Sequence, residues 1–332
     1  MIEQFSSAAL VAIWSAMGVY TLAFIIFTVD LARRSKFTTV PQLIEGGEPA
    51  ESRRSGLLAS VSGTTATLAR PTGTTQPSTP PAPPARGRSP RFERIAFSLT
   101  IVAWVVHVTG VVLRGFAQGH VPWSNMFEFC LTASAIIVGV FIAVQLWQNL
   151  KFLGVYITGF ALLTLGVGTT NFYVDVKPLP PALQSFWLVI HVFVAVLGTS
   201  FFALGAGLSV TQLLQERGSS RLRFLKTLPD AVALENLAYR VIVVGFAFWT
   251  FTLIAGAIWA ERAWGRYWGW DTKEVWTFII WTIFAGYIHA RATRGWRGSR
   301  SAWLALVGFS AVMFNFTIVN LFFKGLHSYS GL

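Results

Sequence analysis

Cysteine is almost absent from the sequence: 332 residues contain one, Cys130. A structural disulfide within the chain, a CxxC redox pair and a covalent CxxCH attachment site are therefore excluded together. Charge is scarce as well. Asp, Glu, Lys and Arg make up 12% of the chain, against about 25% in soluble domains. Acidic residues are the scarcer sign, 14 against 26 Lys and Arg, for a net charge of +12. That excess does not point to nucleic acid, because its placement along the chain follows membrane orientation instead. No basic region precedes the first apolar run, and Asp30, Arg33, Arg34 and Lys36 come after it. This arrangement reads as a retained helix rather than a cleaved signal peptide.

What the chain does have is long apolar runs. Hydrophobic residues make up 54%. Stretches of bilayer-spanning length, about 20 residues, fall at roughly 8–29, 95–115, 126–147, 152–171, 186–213, 239–260, 275–291 and 302–323. The expected fold class is an all-α polytopic membrane protein with about eight transmembrane helices. Residues 1–30 hold the first helix, 31–92 a linker, and 93–332 a membrane domain of seven helices. The linker ends in GTTQPSTPPAPPARGRSP; a segment so rich in Pro, Ser, Thr and Arg cannot bury a core and is expected to be largely disordered. Twenty of the 26 Lys and Arg lie on one side of this arrangement and six on the other, and the short loops alone favour the same side, ten to six. By the positive-inside rule the linker is cytoplasmic, and both termini and the segment 262–274 lie outside.

That outer segment carries the most unusual composition. Of 14 tryptophans, six fall between Trp259 and Trp281: Trp259, Trp264, Trp268, Trp270, Trp276 and Trp281. One or two Trp per helix end suffice for interfacial anchoring, so a flat apolar ligand with charged edges is the more informative reading. A Trp-rich interfacial loop is the plainer one. Among the five histidines, His191 and His327 both arrive at the outer end, on different elements, beside the tryptophans. A lone membrane His is more often a hydrogen-bonded core residue than a ligand. Two that flank an aromatic platform describe a bis-His haem site. His289 stands at the other end of the seventh helix, on the order of 27 Å from Asp271 at 1.5 Å per residue, and cannot share that site. His107 lies mid-membrane and His120 in an outer loop. Asp271 and Glu274, three apart at a helix start, suit capping better than acid–base work. Arg262, Arg266 and Lys273 suit haem propionates or a solvated face about equally. The stretch GHVPWSNMFE (Gly119–Glu128) is a second polar outer element, with Ser124 or Asn125 placed to cap the third helix.

The run Trp264-Gly-Arg-Tyr-Trp268-Gly-Trp270-Asp271-Thr-Lys-Glu274-Val-Trp276 closely resembles the WWD domain of the haem-handling proteins of cytochrome c maturation. GAIWAERAWG before it, Gly-Tyr-Ile-His289, Phe-Lys-Gly-Leu-His327-Ser-Tyr and GHVPWSNMFE extend the likeness, so that residues 92–332 resemble the CcsA or ResC family, the haem-handling subunit of the system II cytochrome c synthase. The resemblance implies a holocytochrome c synthase component in the plasma membrane that moves haem b from the cytoplasmic side to an outer WWD site. There the haem is joined through its vinyl groups to the CxxCH thiols of an apocytochrome c. His191 and His327 match the axial ligands of the outer haem. His289 matches the histidine of an inner site, whose second ligand comes from a ResB-type partner. Trp264, Trp268, Trp270, Asp271, Glu274 and Trp276 form the WWD segment. A thioredoxin-like thiol reductant is a further implied partner. Thr272 stands where most relatives are expected to have Pro, and the linker has no expected counterpart.

Three other functions compete. A system I protein would deliver haem to a chaperone without forming thioethers. A b-type membrane cytochrome subunit would hold haem between histidines inside the bilayer, and only His107 and His289 lie near that depth. A solute transporter with an aromatic site would show broken helices near the midplane, which the apolar runs do not.

Overall fold

The computed structural model of the chain describes residues 2–37, 91–218, 223–293, 295–323 and 325–327. Most of the segment expected to be a linker, residues 38–90, lies outside the described residues. The described elements are helical: α1 (Ile2–Phe37), α2 (Arg91–Gln118), α3 (Met126–Val144), α4 (Gly154–Asn171), α5 (Phe186–Glu216), α6 (Ala231–Trp264), α7 (Thr272–Thr293) and α8 (Ser299–Phe314). A π-helical turn, Asn315–Val319, and one last turn, Asn320–Phe322, continue α8. Each expected apolar run thus coincides with a helix, and the chain is a polytopic all-α membrane protein. Seven of the helices are long and apolar enough to cross a membrane. The exception is α7, whose 22 residues suffice in length while its Lys, Glu, His and Arg dilute its apolar character.

Local chemistry sets the ends. Asn125, in extended backbone, accepts the Glu128 N–H at 3.0 Å and starts α3. Asp230 does the same for α6 through the Ala233 N–H at 2.7 Å. Gly265 closes α6 at φ 70°, a left-handed conformation that costs glycine nothing. The helices overrun the expected spans where charges pair. α1 continues to Phe37 because Arg34 bonds Asp30 at 2.7 Å one turn back and reaches Glu93 of α2 at 2.8 Å. α6 begins eight residues early, at Ala231, where Glu235 meets Arg291 of α7 and accepts from the Gly298 N–H and the Ser301 hydroxyl at the start of α8. This network ties three helices together at the end of the bundle opposite the Trp-rich loop.

α1 packs chiefly on α2, and α5 on α6. Along α6 a stripe of Gly245, Trp249, Thr252, Gly256 and Trp259 recurs every three or four residues and faces α5, the spacing of one helix face. Trp249, Thr252 and Trp259 are buried there. One apolar core joins α1 to α5 and the first half of α6, and a second joins α5 to α8 around Phe202, Ile242, Trp249 and Phe284. A third cluster caps the end of the bundle that carries the Trp-rich loop, where Leu183, Leu188 and Trp259 pack with Trp123, Trp187 and Trp264. Trp123 therefore brings the GHVPWSNMFE element against the Trp-rich region. Arg114, counted by the sequence reading among the outer charges, is buried in α2. It binds the Glu128 carboxylate at 3.1 Å and the Val174 carbonyl at 2.7 Å, the internal pairing that a charge in an apolar bundle requires.

Candidate functional site

His191 lies on α5 one turn after its start, against the glycine in the α6 stripe. A Cβ on Gly256 would sit 2.7 Å from the His191 Cε1 and 2.8 Å from its Nδ1, so only glycine lets the ring lie on the α6 backbone. The Nδ1 is 3.0 Å from the Thr252 carbonyl. A carbonyl can only accept, which places the proton on Nδ1 and leaves the Nε2 lone pair for a ligand. His327 comes from the other side of the Trp-rich loop. Its Nδ1 is 2.7 Å from the Asp271 Oδ2, which assigns it the same tautomer. Both rings meet Trp259: His191 is stacked on it at 5.8 Å and 14°, and His327 stands edge-on at 5.4 Å. Trp264 completes the aromatic backing, 4.8 Å from His327 and 4.7 Å from Trp259.

Two clefts open around this pair, with about 610 and 690 Å3 of atom-free space, mouths included. Both are lined by His191, Ala195, Trp259, Lys273, Phe316 and His327. The first adds Tyr267, Trp268 and Glu274 of the Trp-rich loop, and the second adds Trp123, Met126 and Phe129 of α3 and its approach. Clefts of this size with apolar walls and a few placed polar groups are typical of sites for large organic ligands. The π-helical turn supplies Asn315 and Phe316 to the wall, in keeping with the tendency of such turns to mark functional sites.

The loop itself is held by α7. Glu274 accepts from the backbone N–H groups of Gly269 at 2.8 Å and Asp271 at 3.0 Å, the reciprocal half of a capping box. The expected capping role of Glu274 is therefore observed. Asp271 does more than cap: its Oδ1 accepts the Leu326 N–H at 3.1 Å while Oδ2 holds His327. The hydrogen bond from His327 keeps the Asp271 carboxyl below the usual carboxylate range. Burial, with the Lys273 charge nearby, holds His327 below the usual imidazole value despite the opposing pull of Asp271. The two shifts agree on an ionised Asp271 facing a neutral His327, the state in which an imidazole binds a metal.

A protein-family model for cytochrome c assembly protein matches residues 92–327. The chain belongs to that family. Its similarity to proteins named cytochrome c biogenesis protein CcsA places it within the CcsA/ResC branch. It is 34% identical over 259 residues to the one from Guillardia theta, covering 72% of this chain and 86% of that protein. It is 35% identical over 264 residues to that of Synechococcus sp., covering 70% and 85%. It is 34% identical over 301 residues to that of Gloeobacter violaceus, covering 74% and 89%.

The tryptophans of the Trp-rich segment divide by position. Trp268 lines the first cleft. Trp264 backs His327, and Trp270, at φ 60° and 77% exposed, stands out from the surface edge-on to Trp268. Trp276 packs on Phe314 at 4.4 Å and belongs to the α7–α8 interface. Of the three cations considered for an anionic edge, only Lys273 reaches both clefts; its ammonium is bound by the Asn320 side chain and lies 5.7 Å from the Phe316 ring centroid. Arg262 is largely exposed beside Glu261, and Arg266 folds over Gly269 toward Glu274. His289 is exposed near the far end of α7, on the other face of the bundle. His107 is fully buried with its Nδ1 3.5 Å from the Tyr20 hydroxyl, and His120 bonds the Val121 carbonyl. The sequence reading did not single out Trp259 as a site residue, nor Met126, Phe129, Asn315 or Phe316. Gly256, which opens the Trp-rich stretch, was the available signal for a ring packed on α6.

Proposed function

We propose that this chain, a member of a family of cytochrome c biogenesis, takes haem b as its substrate and presents it for attachment to apocytochrome c. Haem iron would be held by the Nε2 atoms of His191 and His327. The observation that carries this reading is that two histidines from distant elements converge on one aromatic wall, each with Nδ1 committed to an acceptor. That anchoring is the outer-shell arrangement of metal-binding histidine. The walls of Trp259, Trp264 and Phe316 suit a flat macrocycle, and Lys273 suits an anionic edge. Trp268, which lines the first cleft, and the exposed Trp270 edge-on to it would border the side from which an apocytochrome could reach the bound macrocycle. Each CxxCH thiol adds across a vinyl C=C: a C–S bond forms, the thiol proton passes to the vinyl carbon, and no group leaves.

The distribution of Lys and Arg supports an extracytoplasmic loop in the plasma membrane, and internal pairing of Arg114 sharpens that contrast. His289, exposed at the opposite face, is available to an inner haem whose second ligand comes from a ResB-type partner. A thioredoxin-like reductant would keep the apocytochrome thiols reduced. A b-type cytochrome is less well supported, because His107 is enclosed against Tyr20 and His289 faces outward. The test is co-expression with and without a ResB-type partner in a host lacking maturation machinery, with covalent haem scored on a CxxCH reporter. Haem-bearing reporter only when both proteins are present supports the reading. A partner-complemented strain with no covalent haem and no haem on the purified complex contradicts it.

A further inference from the structure

The residue pattern suited Asp271 to capping, and the family resemblance placed it in the WWD segment; the structure gives it partners that neither reading named. Its carboxylate closes around the end of the chain: Oδ2 takes the His327 Nδ1–H at 2.7 Å, and Oδ1 takes the Leu326 N–H at 3.1 Å. Gly325 comes so near that a Cβ there would lie 2.3 Å from Oδ1. The pair is well enclosed, with side-chain exposures of 17% for His327 and 9% for Asp271. His191 is anchored differently, by the neutral carbonyl of Thr252. The two candidate ligands therefore differ in donor strength. An imidazole whose N–H points at a buried carboxylate is the more basic ligand, and extra electron density at the iron favours its oxidised form.

We propose that Asp271 is a positioning residue that makes His327 the stronger of the two axial ligands, fixing its ring and lowering the reduction potential of the bound haem. The inference rests on the haem reading above and deepens it. Asp271→Asn removes the charge and keeps one acceptor oxygen, which can serve the His327 Nδ1–H as the neutral Thr252 carbonyl serves His191, while its NH2 faces the Leu326 N–H and cannot accept from it; the two histidines then become alike. Gly325→Ala leaves every charged group in place and instead pushes the carboxylate away from His327, while Glu274 still holds the Gly269 and Asp271 N–H groups at the start of α7.

The test is a spectroelectrochemical titration of the haem-bound protein, purified with its partner, alongside the rate of haem transfer to an excess of apomyoglobin. Both variants should lose ferric haem about 10- to 100-fold faster, the usual effect of removing an outer-shell partner. Both should also shift the midpoint upward, by about 59 mV for each tenfold change in the one-electron equilibrium. An unchanged midpoint in the haem-bound fraction of both variants overturns the proposal, even if haem yield falls, because a merely structural role moves yield and not potential. If Asp271→Asn does not fold, Gly325→Ala alone decides. Wild-type protein that carries no haem would overturn the functional reading and this inference with it; haem-bound variants with wild-type behaviour would overturn this inference alone.

Discussion

Gly256→Ala adds one methyl group at the point where α6 backs the His191 ring. The new Cβ would stand 2.7 Å from Cε1 and 2.8 Å from Nδ1, about 1 Å inside ordinary carbon contact distances of 3.5–4.0 Å. Two responses are open. Either α5 and α6 part, or the ring swings away and gives up its 3.0 Å bond to Thr252. The helices are interlocked along the whole stripe from Gly245 to Trp259, whereas the ring borders open clefts on both sides, so the ring should yield. With the ring displaced, the overpacking of about 1–3 kcal/mol is relieved in the ligand-free protein. What remains is the lost hydrogen bond, about 0.5–1.5 kcal/mol, against about 0.8–1.0 kcal/mol returned by Ala in helix propensity, so global stability should change little. Haem affinity, which needs the ring in place, should fall roughly 5- to 150-fold if the 1–3 kcal/mol of strain is felt only when the ligand binds. The assay is haem per protein after purification with the partner, together with thermal unfolding in detergent. Wild-type haem retention with a depressed Tm would refute the reasoning, since it would show that the helices moved and the ring did not.

Other consequences are independent of the outer site or separate it from the rest. Arg114→Ala strands the Glu128 carboxylate in the bundle and should cost about 3–5 kcal/mol, read as lost membrane-integrated protein; the paired change Arg114→Met with Glu128→Leu should be much milder. His289→Ala should reduce the haem that co-purifies while leaving the spectrum of the remaining outer haem unchanged; a changed outer spectrum would count against separate sites. Deleting residues 45–88 should leave covalent attachment largely intact, because a stretch of that composition has little to contribute to packing. Normal membrane levels with lost synthesis would instead mark it as a docking segment.

The helices were legible because apolar length and turn chemistry are local properties. Asn125 as a cap and Glu274 as a capping residue could be named from neighbours three residues apart. The convergence of His191 and His327 also followed from sequence, by counting membrane crossings. Less accessible were contacts with no local signature. Asp271 and His327 are 56 residues apart, and nothing in either neighbourhood announces a hydrogen bond between them. Arg114 and Glu128 read as outer charges because hydropathy windows do not register a partner on the next helix. The π-helical turn at Asn315–Val319 carries no mark in the apolar pattern, so the place of Phe316 in the cleft wall left no trace in the periodicity.

The central claim is that His191 and His327 together hold the haem. It is tested most directly by absorption spectra and covalent attachment in His191→Ala and His327→Ala, each with its ResB-type partner, with and without imidazole in the medium. Each variant should lose the spectrum of the wild-type haem and most attachment, and imidazole should restore part of both, because a small ligand can enter the cleft and fill the open position. Wild-type spectra and normal attachment in both variants would contradict the account, as would a bound haem that disappears only in His107→Ala.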